Sequence, residues 1–515
     1  MKKLFVATAS MALSVCATAA VKPAPQLVFD ASKGVAGSVT LPQGKTVNYT
    51  AYTNLYYVTN VEDSTYQYMN IYVPQGATQA TPIFMRNYIG GYMAAKPQAI
   101  DAEDASGRAL AEGYVVVIPG ARGRNSVTED KGDKIYTGRA PKGLLDLKAA
   151  VRYLRHFDKE IPGNAEKIIS DGTSAGGAMS ALLGASGNNP AYQQYLEDMG
   201  AANERDDIFA AVCYCPIVDL EHADMAYEWL YACTNNITRP LTPKQKKVSE
   251  ELAEQFGTYL KSLNLKQTDG TILTTDNYRD YLKQLLIKSA QEAKDAGADI
   301  PDSIGFRFSK GQGTNSFAPT IQKLNEQYGP FPRTGIANNQ NINIRSNESN
   351  LSRPQKSGEY ITDLDLDKYL NYVVTTIALK TPPAFDSQGV ARAKASAENE
   401  VFGDESGNSV NFTDYSLQQA TGNPTATIDN VLRERVRMMN PMRMLDDPQS
   451  LITRHWYIRH GARDRDTAFP IPVNLATKLQ NIGKEVNFKL SWNRPHSGDY
   501  ALNELFAWIG EIVRE

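Results

Sequence analysis

The sequence predicts an α/β fold, with a mostly parallel sheet flanked by helices and a large helical, loop-rich insertion. Three observations predict it. Short apolar runs alternate with helical-period segments between residues 82 and 214, the pattern of strands covered on both faces by crossover helices. From about Ala223 to Asp404 the chain becomes polar, helical and loop-rich. Strand signals return only at His455–Ile458 and Val486–Leu490, ahead of a closing helix. The 515 residues, 42% hydrophobic and 22% charged, are ordinary for a globular protein and leave room for one core plus an insertion.

Val47–Tyr52, Leu55–Val58 and Tyr68–Val73 are rich in β-branched and aromatic residues and predict strands, with Pro74 and Gly76 marking a turn. Pro82–Met85 is a further strand, followed by the turn Asn87–Gly91. Ala105–Glu112 is helical and stops at Gly113. Tyr114–Pro119 is a continuous apolar strand. Lys142–Arg155 carries Leu144, Leu147, Val151 and Leu154 at helical spacing. Lys167–Asp171 is a strand, Ala175–Ser186 a small-residue helix and Ala210–Tyr214 another strand. Within the insertion, Pro243–Leu263, Thr275–Ala296 and Leu364–Leu379 predict helices, and Gly311–Gly358 is irregular. Ala501–Glu515 closes the chain as a helix.

The N-terminus has the form of an export signal: Lys2 and Lys3, the apolar stretch Leu4–Val15, and small residues at Ala17 and Ala19. A lipidated Cys16 is the alternative, disfavoured by the bulky Val15 before it. The division expected is a leader over 1–19, a catalytic domain over 20–222 and 405–515, and an inserted lid domain over 223–404. No later apolar run reaches about 18 residues, so no membrane span is expected. Net charge is -3, with no basic stripe to attract nucleic acid. Beyond Cys16 the cysteines are Cys213, Cys215 and Cys233. They allow one disulfide, from Cys233 to either of the others, or three free thiols. With only five histidines and no second ligand pair, Cys213 and Cys215 do not make a zinc motif.

The chemistry concentrates at Gly172-Thr173-Ser174-Ala175-Gly176, between a predicted strand and a predicted helix. That setting is the nucleophile elbow of α/β-hydrolases. The turn projects the Ser174 hydroxyl over the sheet edge, and the Ala175 amide at the helix start is placed to hold an oxyanion. A serine hydroxyl needs a base, and the base an orienting acid, in the chain order Ser, acid, His. His496, in the loop-forming Arg494–Gly498 before the last helix, suits the base, with His460 as the alternative. Asp464 and Asp466 both stand in the loop after the preceding strand. Their alternation lets one face His496 and the other the substrate. Gly91, in the Gly90-Gly91 turn, is the expected second oxyanion donor.

Several segments together resemble the bacterial tannases, the gallate-ester hydrolases: Arg86–Met93, Gly172–Gly177, Lys380–Asp386, Glu398–Gly403, Arg459–Thr467 and Pro495–Gly498. They span most of the mature chain in the same order. The resemblance implies that Ser174, Asp464 and His496 are the triad. It also implies that Asp466, Lys380 and Glu398 bind the three phenolic hydroxyls of a galloyl ring, with Glu400 two residues beyond Glu398. Phenols are donors, so carboxylates suit them, and an ammonium can steady a partly ionised phenol. The function implied is hydrolysis of galloyl esters to gallic acid and an alcohol through an acyl-enzyme, with no metal or organic cofactor. The partner would be a small phenolic ester. The neighbouring alternative is a feruloyl or general aromatic carboxylesterase.

Overall fold

The computed structural model describes residues 26–235, 239–310, 359–392 and 394–515. The expected leader, with Lys2, Lys3 and Cys16, and the stretch Gly311–Gly358 lie outside the described residues. The strands are β1 (Val35–Thr40), β2 (Thr46–Tyr56), β3 (Tyr68–Pro74), β4 (Pro82–Arg86), β5 (Val115–Pro119), β6 (Val127–Asp130), β7 (Asp133–Tyr136), β8 (Asn164–Thr173), β9 (Ala210–Tyr214), β10 (Phe306–Lys310), β11 (Glu359–Leu364), β12 (His455–Gly461) and β13 (Glu485–Ser491). Nine of them form one sheet in the order β1-β2-β3-β5-β4-β8-β9-β12-β13. Strands β5, β4, β8, β9, β12 and β13 run parallel, and β1–β3 add an antiparallel edge.

Period-two alternation explains the apolar runs. In β5, Val115 and Val117 join one hydrophobic cluster while Val116 and Ile118 join the other. Strand β12 divides likewise, Trp456 and Ile458 against Tyr457. Helices α1 (Ala105–Ala111) and α14 (Leu502–Ile512) cover one face through Leu110, Leu505 and Phe506. On the other face lie α2 (Lys142–His156), α3 (Ala175–Ala185) and α13 (Pro470–Asn481). Small residues bring α3 close: a Cβ at Gly184 would sit 2.7 Å from the Trp456 ring.

Between β9 and β12 the chain makes a long excursion. The short α4 (Gln193–Asp198) precedes β9; the excursion comprises α5 (Leu220–Tyr231), α6 (Pro243–Leu263), α7 (Thr275–Asp295), the β10–β11 pair, α8 (Leu366–Thr376), α9 (Ala397–Val401), α10 (Asp414–Thr421), α11 (Asn430–Met438) and α12 (Pro441–Met444). Local chemistry sets its boundaries. Thr242 and Gln245 form a reciprocal capping box before α6, with Pro243 in its first turn. Phe256, Tyr278 and Tyr369 join the same cluster as the sheet face beneath. Tyr369 Oη donates to the Ala462 carbonyl at 2.6 Å, and Tyr231 Oη to that of Asp464 at 3.3 Å. The excursion is therefore tied to the loop after β12.

Some expectations shift. Val47–Tyr52 and Leu55–Tyr56 merge into β2, with a register irregularity between Tyr52 and Leu55, while Tyr57 and Val58 lie beyond its end. Leu364 ends β11, so the predicted helix starts only at Leu366. Strand β1 and the β6–β7 hairpin lack a clean alternating signature and are additions. Cys213, Cys215 and Cys233 are free thiols. Among the described residues no helix is long and apolar enough to cross a membrane.

Candidate active site

Strand order reverses at one place. From β4 the chain crosses to β5 on one side, and from β8 to β9 on the other. Adjacent strands whose exits diverge leave a crevice at their carboxyl ends, where ligands bind in open α/β sheets. The loop after β4 carries Gly90 and Gly91, and the turn after β8 carries Ser174.

Ser174 has φ 62° and ψ −122°, outside the region comfortable for a residue with a side chain. Its surroundings over-determine it. Its N–H donates to the Tyr214 carbonyl at 2.9 Å, and its carbonyl accepts from Ala178 N–H at 2.9 Å. A Cβ at Gly172 would lie 2.3 Å from the Gly176 carbonyl oxygen, and one at Gly176 2.6 Å from Asn87 Oδ1. Only glycine permits this crossing of strand and helix.

Ser174 Oγ lies 2.9 Å from His496 Nε2, and His496 Nδ1 lies 2.7 Å from Asp464 Oδ2. Asp464 is fully buried, and its Oδ1 accepts from the Asp466 N–H at 2.8 Å. Burial pushes the Asp464 carboxyl up, but the imidazoles of His496 and His460 and two hydrogen bonds outweigh it, leaving the group below the usual carboxylate range. His496 shows the mirror balance. Burial opposes its charged form, yet Cys215 and Asp464 hold it well above the ordinary imidazole value. Cys215 Sγ stands 3.9 Å from Nε2. Cys215, Asp464 and His496 are ligand types that could hold a metal, but both ring nitrogens of His496 already face Asp464 and Ser174. His460 is packed behind: fully buried, edge-on to Phe469 and 3.6 Å from Asp464 Oδ2.

The N–H groups of Gly91 and Ala175 make no hydrogen bond among the described residues. Ala175 opens α3, where helical N–H groups have no intrahelical acceptor. Gly91 has φ 56°. Lys380 Nζ donates to the Asp466 carbonyl at 2.8 Å and lies 4.1 Å over the Phe385 ring. Asp466 pairs with Arg465, and its Oδ2 is 3.8 Å from His496 Nδ1. Glu400 is engaged by Arg124. Glu398 is half-buried, its carboxylate without a hydrogen bond or ion pair among the described residues, and its charge acts on buried Tyr92 beside Gly91. The structure thus brings Lys380, Asp466 and the relay of Ser174, His496 and Asp464 together, with Glu398 near the Gly90-Gly91 turn.

A tannase from Fusobacterium nucleatum is 36% identical over 95% of this chain and 99% of its own, with a TM-score of 0.75. The chain belongs to the tannase family. Tannin acyl hydrolase from Lactobacillus plantarum matches at 36% identity over 95% and 99% of the two chains, TM-score 0.76. A tannin acyl hydrolase in complex with ethyl gallate matches at 36% over the same shares, TM-score 0.74. A family model described as BD-FAE covers residues 69–256. No curated protein matches the chain.

Several supporting residues of this tannase-family chain escape a sequence reading. Asp386, buried, accepts from Asn399 Nδ2 at 2.7 Å, Asn411 Nδ2 at 2.8 Å, and the N–H groups of Phe412 and Thr413 at 3.0 and 2.9 Å. Asp224 on α5 in turn accepts the Phe385 and Asp386 N–H groups at 2.8 and 3.0 Å. Together they lock the Lys380 segment to α9, which carries Glu398. Asp386 and Asn399 stand inside recognisable segments, and that position was the one available signal.

Proposed function

We propose that the protein is a serine esterase that hydrolyses galloyl esters to gallic acid and an alcohol. The observation carrying this reading is the relay of 2.9 and 2.7 Å from Ser174 through His496 to Asp464, flanked by Lys380 and Asp466, in a chain of the tannase family. His496 Nε2 takes the Ser174 proton as Oγ attacks the ester carbonyl. The N–H groups of Gly91 and Ala175 receive the oxyanion. The imidazolium then protonates the departing alkoxide, leaving a galloyl-serine ester. Water, deprotonated by the same imidazole, attacks this ester and frees gallic acid and the hydroxyl. Asp464 fixes the tautomer and stabilises the imidazolium between the two half-reactions.

Lys380, Asp466 and Glu398 hold the three ring hydroxyls. Glu400, paired with Arg124, is left out of this set. The ethyl gallate complex of a relative supports the substrate class. Residues 1–19 direct export and residues 223–404 act as the lid over the site; both rest on the sequence pattern. The test is methyl gallate hydrolysis by purified protein and by Ser174→Ala. We expect turnover in the first and none above background in the second, with unchanged circular dichroism. Turnover retained by Ser174→Ala would overturn the reading.

A further inference from the structure

The triad side chains sit on separate loops, and one buried side chain outside the triad touches two of the segments that carry them. Arg86 ends β4, five residues before Gly91. One guanidinium nitrogen pairs with Asp171 on β8, three residues before Ser174. The other donates to Asp499 Oδ2 at 2.6 Å, three residues after His496. Arg86 and Asp171 are register partners in the β4–β8 ladder, so this half is fixed by the sheet. Asp499 belongs instead to the irregular stretch between β13 and α14. All three side chains are almost wholly shielded from water.

That stretch needs holding. Asp499 and Ala501 have φ of 54° and 52°, a left-handed backbone that residues with a side chain keep only where the surroundings impose it. Tyr214 Oη donates to the Tyr500 carbonyl at 2.8 Å. Arg86 supplies the matching side-chain anchor from the centre of the sheet. The remaining neighbours do not compete for it: Asp104 is occupied by Tyr88 Oη at 2.5 Å and by Ser106 N–H at 2.7 Å, and the Tyr88 ring lies 5.0 Å from the guanidinium carbon.

We propose that Arg86 and Asp499 are positioning residues, a buried tether that sets the distance from the His496 imidazole to the Ser174 hydroxyl. The proposal rests on the assignment of His496 as base to Ser174. The tether touches no part of the ring-binding set, so its loss falls on proton transfer and leaves ester binding alone. A misplacement of about 1 Å in a reacting group costs on the order of 100-fold in rate. We therefore expect Asp499→Ala to lower kcat for methyl gallate roughly 10- to 100-fold, with KM within about two-fold. Asp499→Asn keeps an acceptor for Arg86 and recovers most of the loss.

Active sites are counted by fluorophosphonate titration, so that misfolded enzyme drops out of kcat. The rate of fluorophosphonate inactivation, which needs the serine–histidine pair but no galloyl contacts, falls by the same factor as kcat. Turnover per titrated site within two-fold of the parent in Asp499→Ala, or a loss confined to KM, overturns the tether. Ser174→Ala run alongside separates the two claims. Residual turnover there refutes the triad; full loss there with normal Asp499→Ala refutes the tether alone.

Discussion

Gly498 offers the sharpest quantitative test of the site, because its requirement is purely steric. Its backbone lies outside the left-handed region, so alanine would carry no φ penalty. Yet a Cβ at this position would fall 1.9 Å from Thr173 Oγ1 and 2.9 Å from Thr173 Cβ. Ordinary contact begins at about 3.4 Å, so with Thr173 held in its present rotamer Gly498→Ala would push the base loop off the end of β8 by up to about 1.5 Å, and by about 0.5 Å against Thr173 Cβ if the hydroxyl swings away. His496 is two residues away, and the hydrogen bond it must keep is 2.9 Å long. Displacement of about 1 Å costs on the order of 100-fold, or about 2.7 kcal/mol of transition-state stabilisation. Steady-state hydrolysis of methyl gallate, normalised to titrated sites, measures it.

The partner substitution makes the argument refutable. Thr173 Oγ1 makes no hydrogen bond among the described residues, so Thr173→Ala removes the closest atom at little cost and leaves the 2.9 Å contact, an overlap of a few tenths of an ångström. The double variant should recover most of the lost kcat. Wild-type-like turnover in Gly498→Ala, or a double variant as slow as the single, would show that the loop does not rest on β8 as described.

Further outcomes follow from the same geometry. Lys380→Ala and Asp466→Ala should each lower kcat/KM for methyl gallate by roughly ten-fold or more, the value of one lost hydrogen bond to a charged group, while an unhydroxylated benzoate ester loses little; equal losses on both substrates would reject ring recognition. Glu398→Gln should raise KM for methyl gallate and Glu400→Gln should not, and the reverse ranking in parallel assays would reassign the ring contact. His496 is held above the ordinary imidazole value, and only its neutral form is a base, so the acidic limb of the kcat/KM profile should lie above pH 6.5; a limb at or below 6.5 contradicts the described surroundings. By linkage, the stability from that proton is present below the unfolded-state value near 6.5 and lost as pH rises through the folded value, so thermal melts should weaken as activity rises. Asp386→Ala strands at least four buried donors at about 1–3 kcal/mol each, and calorimetry should show a clear fall in Tm; an unchanged Tm would mean the strut to α9 carries no strain.

What could be read from the sequence was what local sterics or short-range order dictate. Gly172 and Gly176 flank Ser174 because strand and helix cross within 2.3 Å of any side chain there, and that need shows as a five-residue spacing. The parallel strands β5 and β12 are visible because both faces are buried. Lys380 and Glu398 entered only through family resemblance, since a lone lysine in a loop has no physical signature, whereas Asp466 was marked by its place beside Asp464 in the loop after a strand. Arg86 and Asp499 stayed hidden, being 413 residues apart and meeting only in the folded sheet. That Val47–Tyr52 and Leu55–Tyr56 run together as one strand is not visible locally, because the joint is Asn54 at φ 59°, a kink that the ladder absorbs.

The nucleophile and its base are separated by 322 residues, and the base lies beyond the last strand of the sheet. Until β13 has docked against β12, Ser174 is an inert alcohol on a half-built surface. Ester cleavage by this chain is consequently a readout of completed folding: a protein clipped or stalled short of residue 496 is silent however well the rest has assembled. Contacts of such long span also fold slowly.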